Sequence, residues 1–128
     1  MDKSGKYWGI TRRIFYQNNV EMHYMEINPG GYCSEHLHNF KFNKFIVLEG
    51  SLNIYSWKAG KDENPDLVLL EARDECTIKP KIYHKFENNS DKLCKAIEVY
   101  WTELSGDDIE RRTIGGIENT AGHIHPPT

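Results

Sequence analysis

The chain has 128 residues, 38% of them hydrophobic, and a net charge of −3. That suits one domain with a modest core. Its scattered basic residues give no electrostatic case for nucleic acid, and no window is long and apolar enough to span a membrane. The opening run Met1-Asp2-Lys3-Ser4-Gly5-Lys6 lacks an apolar core, so no secretory leader is expected. Short extended runs then follow one another, at 13–16, 20–27, 32–38, 43–48, 51–57, 67–71, 75–78, 84–87 and 95–102. Turn residues separate them. Asn18-Asn19 suits a tight hairpin with positive φ, Pro29-Gly30-Gly31 ends one strand and restarts the chain, and Glu49-Gly50-Ser51 makes another short turn. This pattern predicts an all-β sandwich or barrel. Residues 105–112 can form one helical turn, with Ser105 as cap. The glycines and prolines after Thr113 predict a loosely held tail, so the domain is placed at 1–112 and the tail at 113–128. Cys33, Cys76 and Cys94 are odd in number and lack metal-type spacing, which suggests reduced thiols in a cytoplasmic protein.

The chemistry concentrates in His36-Leu37-His38 and in His84 within Pro80-Lys81-Ile82-Tyr83-His84. Two histidines at i and i+2 on an extended segment point to one side of a sheet. If the strands close into a barrel, three neutral imidazoles converge inside it and offer a site for a divalent transition metal. The plain alternative is a pair of ordinary strand histidines, with His84 paired to a carboxylate. Parity supports a pocket. Turning Asn43, Phe45 and Val47 inward leaves Lys44, Ile46 and Leu48 outside, and His84, Phe86 and Asn88 share a face. The opposite assignment would bury Lys44 at a cost.

These residues resemble the cupin superfamily. Gly31, His36, His38 and Gly50 match the first cupin motif, and Pro80, His84 and Asn88 match the second. Asn43 stands where the family has a glutamate, and the glycine of the second motif is missing, with Ile82 nearby. Within the superfamily the chain is similar to the cupin domain of type II mannose-6-phosphate isomerases over roughly residues 7–112. Tyr7-Trp8-Gly9, Ile27-Asn28-Pro29-Gly30, Phe45-Ile46-Val47, Ile97-Glu98-Val99 and Gly106-Asp107-Asp108-Ile109-Glu110-Arg111 carry that likeness. The resemblance implies a single-domain jelly-roll barrel of two antiparallel sheets. It implies His36, His38 and His84 as ligands to a zinc, manganese, iron or nickel ion, with Asn43 beside them. An amide oxygen is a weaker ligand than a carboxylate and cannot act as a base.

Other residues take part only in some readings. Glu98 and Tyr100 share a face of the last strand. They either enter the barrel as acid and hydroxyl, or face out while Ile97, Val99 and Trp101 pack in. Glu35 and Lys41 flank the motif and can touch a ligand, and Glu35 is a second candidate base. His23 either lines the pocket or is a satisfied surface residue, and Cys33 is read as an inert thiol. His123 and His125 repeat the HxH pattern in the tail. The reading is a metal-binding cupin that acts on or recognises a sugar or sugar phosphate. An iron-dependent three-histidine oxygenase and a non-catalytic ligand-binding cupin are the alternatives. A homodimer is expected, with strand 13–16 pairing across a two-fold.

Overall fold

Apolar residues alternate with polar ones along most strands, so each strand has one face to bury. The chain answers this with two sheets packed face to face. The computed structural model describes residues 3–103, 108, 110–118 and 124–125. Nine strands build the barrel: β1 (Lys3–Lys6), β2 (Gly9–Gln17), β3 (Val20–Ile27), β4 (Phe42–Glu49), β5 (Ser51–Trp57), β6 (Asp66–Glu71), β7 (Glu75–Ile78), β8 (Tyr83–Glu87) and β9 (Cys94–Trp101). One sheet runs β1-β2-β3-β9-β4-β7 and the other β6-β5-β8, with every pairing antiparallel. A further ribbon pairs β10 (Ile117–Glu118) with β11 (Ile124–His125). No helix occurs among the described residues. The turn pattern predicts an all-β sandwich or barrel, and the architecture is the jelly roll that the resemblance implies.

The core lies between the sheets. Met25, Ile27, Phe45, Val47, Cys94 and Ala96 come from the large sheet, and Leu52, Ile54 and Phe86 from the small one. β4 shows the alternation plainly. Asn43, Phe45 and Val47 are buried, while Lys44 turns outward and meets the Glu75 carboxylate at 3.0 Å.

The structure departs from the sequence expectation in two places. β1 adds a strand that the run Lys-Ser-Gly-Lys does not announce, because it is held by backbone pairing to β2. That pairing ends at Lys3↔Arg12, so beyond Arg12 β2 is paired only to β3 among the described residues, with Phe15 and Tyr16 exposed. The strand expected at 32–38 is also reduced to two isolated bridges, Tyr32↔Glu87 and His36↔His84. Four steps on one side answer three on the other, so the ladder carries an extra residue, as in a β-bulge. The Phe86 N–H donates to Cys33 Sγ at 3.2 Å instead of to a carbonyl. Of the turn expected over 105–112, residues 105–107 and 109 fall outside the described residues, as does His123, and the described residues 108 and 110–112 carry no helix.

Two turn positions behave as expected. Asn18 takes φ 49 in the β2–β3 hairpin, and Gly50 takes φ 81 between β4 and β5. A Cβ on Gly50 would stand 2.8 Å from the Leu93 carbonyl oxygen. Gly50→Ala therefore meets both left-handed strain and a backbone clash. It is expected to lower unfolding free energy by about 1–3 kcal/mol in urea denaturation.

Candidate metal centre

Two elements supply the histidines. His36 and His38 lie on the segment between β3 and β4, and His84 is the second residue of β8. The His36↔His84 bridge brings two of them together through reciprocal backbone bonds of 3.1 and 2.9 Å. The Lys81 N–H donates to the His38 carbonyl at 2.7 Å and ties the third to the turn before β8. One nitrogen from each of His36, His38 and His84 then lies within 4.8 Å of the others. Three imidazoles at that spacing can share one ion at nitrogen–metal distances of about 2.1 Å.

Hydrogen bonds prepare the rings. His36 Nδ1 stands 2.8 Å from the Ser34 carbonyl oxygen, and His84 Nδ1 stands 2.9 Å from that of Ile82. A carbonyl only accepts, so each Nδ1 carries the proton and each Nε2 keeps its lone pair. Such outer contacts fix a metal-binding imidazole in tautomer and direction. His38 Nε2 is buried with no hydrogen-bond partner. An orphaned buried nitrogen is expensive in an ion-free protein and is satisfied by coordination. The residues present therefore fit a divalent ion.

Burial also favours the neutral form of His38 and His84. Burial first, opposed by the hydrogen bond to the Ile82 carbonyl and aided by the charges of His36 and His38, lowers the His84 pKa to about 4. His38 is lowered as well, by burial first and then by the charges of His36 and Lys41. A folded-state pKa below the unfolded value means that the unfolded chain takes up the proton first. The stability from neutral His84 is thus complete above about pH 6.5 and is lost as pH falls toward 4. Metal-free protein is expected to lose on the order of 3 kcal/mol across that window. Urea denaturation at several pH values, in the presence of a chelator, measures the loss.

Asn43 sits at the centre of a buried polar set. Its amide Nδ2 donates to Glu98 Oε2 at 3.1 Å and approaches His84 Nε2 at 3.3 Å. The Glu98 contact fixes which end of the amide is nitrogen, and the buried Oδ1 is left without a partner. Glu98 faces inward. It is buried and hydrogen-bonded to Asn43 and Tyr100, and burial raises its pKa above the ordinary carboxylate range. The Tyr100 hydroxyl is pushed far up by burial and by Glu98. Ile97, Val99 and Trp101 take the opposite face of β9, where Trp101 stacks on Phe42 at 5.4 Å.

A cavity of about 340 Å³ lies against this set. Its polar wall includes Thr11, His23, Ser34, His36, Glu98 and Tyr100, and its apolar wall includes Trp8, Met25 and Phe86. Lys6, Trp8, Cys33 and Ser34 also line a broader outer pocket with Tyr7 and Tyr32. His23 is both a lining residue and a satisfied one, with Nε2 3.2 Å from Glu21 and Nδ1 3.3 Å from Thr11 Oγ1. Cys33 is a half-buried thiol whose pKa burial raises to about 11, in keeping with an inert role. Glu35 is exposed and outside the cavity lining, so the structure does not bring it to the histidines. The bridge that turns the neighbouring His36 inward leaves Glu35 to solvent. Sequence reasoning missed Trp8, Thr11 and Met25. The signal was there in part, because Thr11 and Met25 are cross-strand partners in the β2–β3 hairpin.

A two-sheet jelly roll with three inward histidines defines a barrel suited to a divalent ion, and solved structures identify the fold as that of cupins. The cupin domain of Schizosaccharomyces pombe Cnp3 superposes with a TM-score of 0.67 at 10% identity, over 80% of this chain and 69% of that one. KdgF from Halomonas sp. superposes with a TM-score of 0.68 at 11% identity, over 84% of this chain and 90% of that one. The protein therefore has a cupin fold, with a three-histidine group positioned to hold a metal. No protein-family model matches the chain. Among curated proteins it is 25% identical over 96 residues to an NADH-cytochrome b5 reductase 2 of Aspergillus oryzae. That match takes in 75% of this chain and 29% of the relative's length.

Proposed function

We propose that the protein is a metal-dependent cupin that binds a small hydroxyl- or carbonyl-bearing molecule, of which a sugar or sugar phosphate is the leading class. One observation carries this reading: the buried, unpartnered His38 Nε2 lies beside His84 and His36, and His36 in turn lines a mixed polar and apolar cavity. His36, His38 and His84 hold the ion, and Asn43 stands next to it as a neutral neighbour. A divalent ion there acts as a Lewis acid toward ligand oxygens. Glu98 supplies the proton chemistry. Its raised pKa lets it take a proton from one ligand carbon and return it to the next, while the hydroxyl proton passes from one ligand oxygen to the other, as an aldose–ketose interconversion requires. The Asn43 amide and the Tyr100 hydroxyl hold the carboxylate in place during that exchange. Neither Asn43 nor the exposed Glu35 serves as the base.

Metal analysis of protein purified without a nickel column tests the reading. About one zinc or manganese per chain supports it, and protein without metal, or unable to take it up, overturns it. Iron would favour a three-histidine oxygenase, a reading that draws on the absence of any carboxylate from the histidine group. Glu98→Gln is expected to cut isomerase turnover by a factor on the order of 10² or more, with metal content retained. We further infer a homodimer, formed where β2 beyond Arg12 has no partner on one side among the described residues. Sedimentation at micromolar concentration checks this, a monomer being the adverse result. The unpaired cysteines support a cytoplasmic setting.

A further inference from the structure

We propose that the ligand of this cavity carries a negatively charged oxygen group and that Lys41, in the recess that adjoins it at Tyr100, recognises that group. The inference rests on the metal-site reading above and adds the charge of the ligand and the residue that selects it.

Charge balance leads to it. Three imidazoles are neutral donors, and Asn43 places an amide where a carboxylate would have offset the charge of an ion. Among the described residues that line the cavity, Glu98 is the acid, and its carboxylate is already engaged by Asn43 and Tyr100. With a divalent ion present, the interior therefore holds excess positive charge. Burying such charge uncompensated is costly, and an anionic ligand removes the cost.

Lys41 is placed to meet that ligand. Its ammonium lies over the Tyr100 ring, 5.3 Å from the centroid, and the His38 ring lies 5.1 Å from the same ring. Tyr100 is shared between the metal-side cavity and a second recess of about 180 Å³, which Lys41, Asn19 and Thr102 help to line. Among the described residues no carboxylate stands within 4.0 Å of Lys41. Glu21, the acid of that recess, is taken up by Arg13 at 3.8 Å and His23 at 3.2 Å. An unneutralised ammonium thus shares the Tyr100 ring with a ligand histidine, where its charge opposes the binding of a cation. Its position makes sense for an anion held between ammonium and ion.

Cobalt(II) absorption spectroscopy tests this without any assay of turnover. The protein is loaded with cobalt and titrated with acetate, with methyl phosphate and with glycerol at fixed pH. Acetate or methyl phosphate should change the visible spectrum at concentrations at least tenfold below those at which glycerol does. Whichever anion binds more tightly identifies the group. Lys41→Met, which keeps the stem against Tyr100, should weaken anion binding about tenfold. The same variant should bind cobalt as tightly as wild type or more so, because a like charge has been removed. Lys41→Arg should bind the anions within about threefold of wild type. The proposal fails if glycerol perturbs the spectrum as readily as the anions. It also fails if Lys41→Met binds anions like wild type, or loses cobalt and anion affinity together, as a structural role would predict. Failure of the underlying reading looks different: cobalt then binds below one equivalent, or binds in a manner indifferent to His84→Ala.

Discussion

Replacement of His84 by alanine is expected to lower divalent metal affinity by a factor on the order of 10²–10³ while the barrel remains folded. Site energies of about 10–16 kcal/mol, shared among three or four ligands, assign each ligand roughly 3–4 kcal/mol. His84 is also the ligand with the least freedom to be replaced. It is 1% exposed, its Nδ1 is committed to the Ile82 carbonyl, and its backbone is paired to His36 on one side and to Ser56 on the other. No other histidine, cysteine, aspartate or glutamate among the described residues joins the group at ligand distance. The measurements are metal content after dialysis and the rise in Tm on adding zinc. Wild type should hold about one ion and gain stability as RT ln(1 + [L]/Kd), and the variant should show neither. Full stoichiometry in His84→Ala would overturn the site. Glu35→Ala serves as the control and should behave as wild type, since Glu35 is exposed.

The barrel was legible because its signals are local. Asn43-Lys44-Phe45-Ile46-Val47 alternates cleanly, and only one phase keeps Lys44 out of the core. The turns at Asn18 and Gly50 each need a positive φ that the residue type supplies. The His-Leu-His spacing likewise puts both imidazoles on one side without knowledge of any partner strand. Other features depend on register, which sequence does not encode locally. β9 carries apolar residues on both faces, with Cys94 and Ala96 on one and Ile97, Val99 and Trp101 on the other. Which face turns in was decided by Glu98 pairing with Phe45, itself an inward residue. The break at 32–38 has the same origin. Its residues look extended, but the extra residue between Tyr32 and His36 appears only when β8 is laid beside them. β1 was invisible because its stability comes from backbone pairing with β2 and not from side-chain pattern.

Asn43→Glu should separate the metal-free protein from the loaded one by opposite signs. Asn43 is 1% exposed and its amide lies 3.1 Å from the Glu98 carboxylate. A second carboxylate there replaces a donor by an acceptor. Two acids so close cannot both ionise in a buried site, so one must keep its proton. Metal-free protein should therefore lose about 2–4 kcal/mol at pH 7, with part of the loss recovered at lower pH, where protonation relieves the repulsion. An ion held by His36, His38 and His84 reverses the balance, because the new carboxylate becomes an anionic neighbour or ligand. Metal affinity should rise by a factor on the order of 10–10², about 1.4–2.8 kcal/mol. Urea denaturation with chelator and with saturating zinc gives the two stabilities, and a competition titration at fixed pH gives the affinity. Weaker stability without metal together with tighter binding supports the assignment of Asn43 to the edge of the ion site. Unchanged affinity, with or without a loss of stability, would place the Asn43 side chain away from the ion and leave it only the role of holding Glu98.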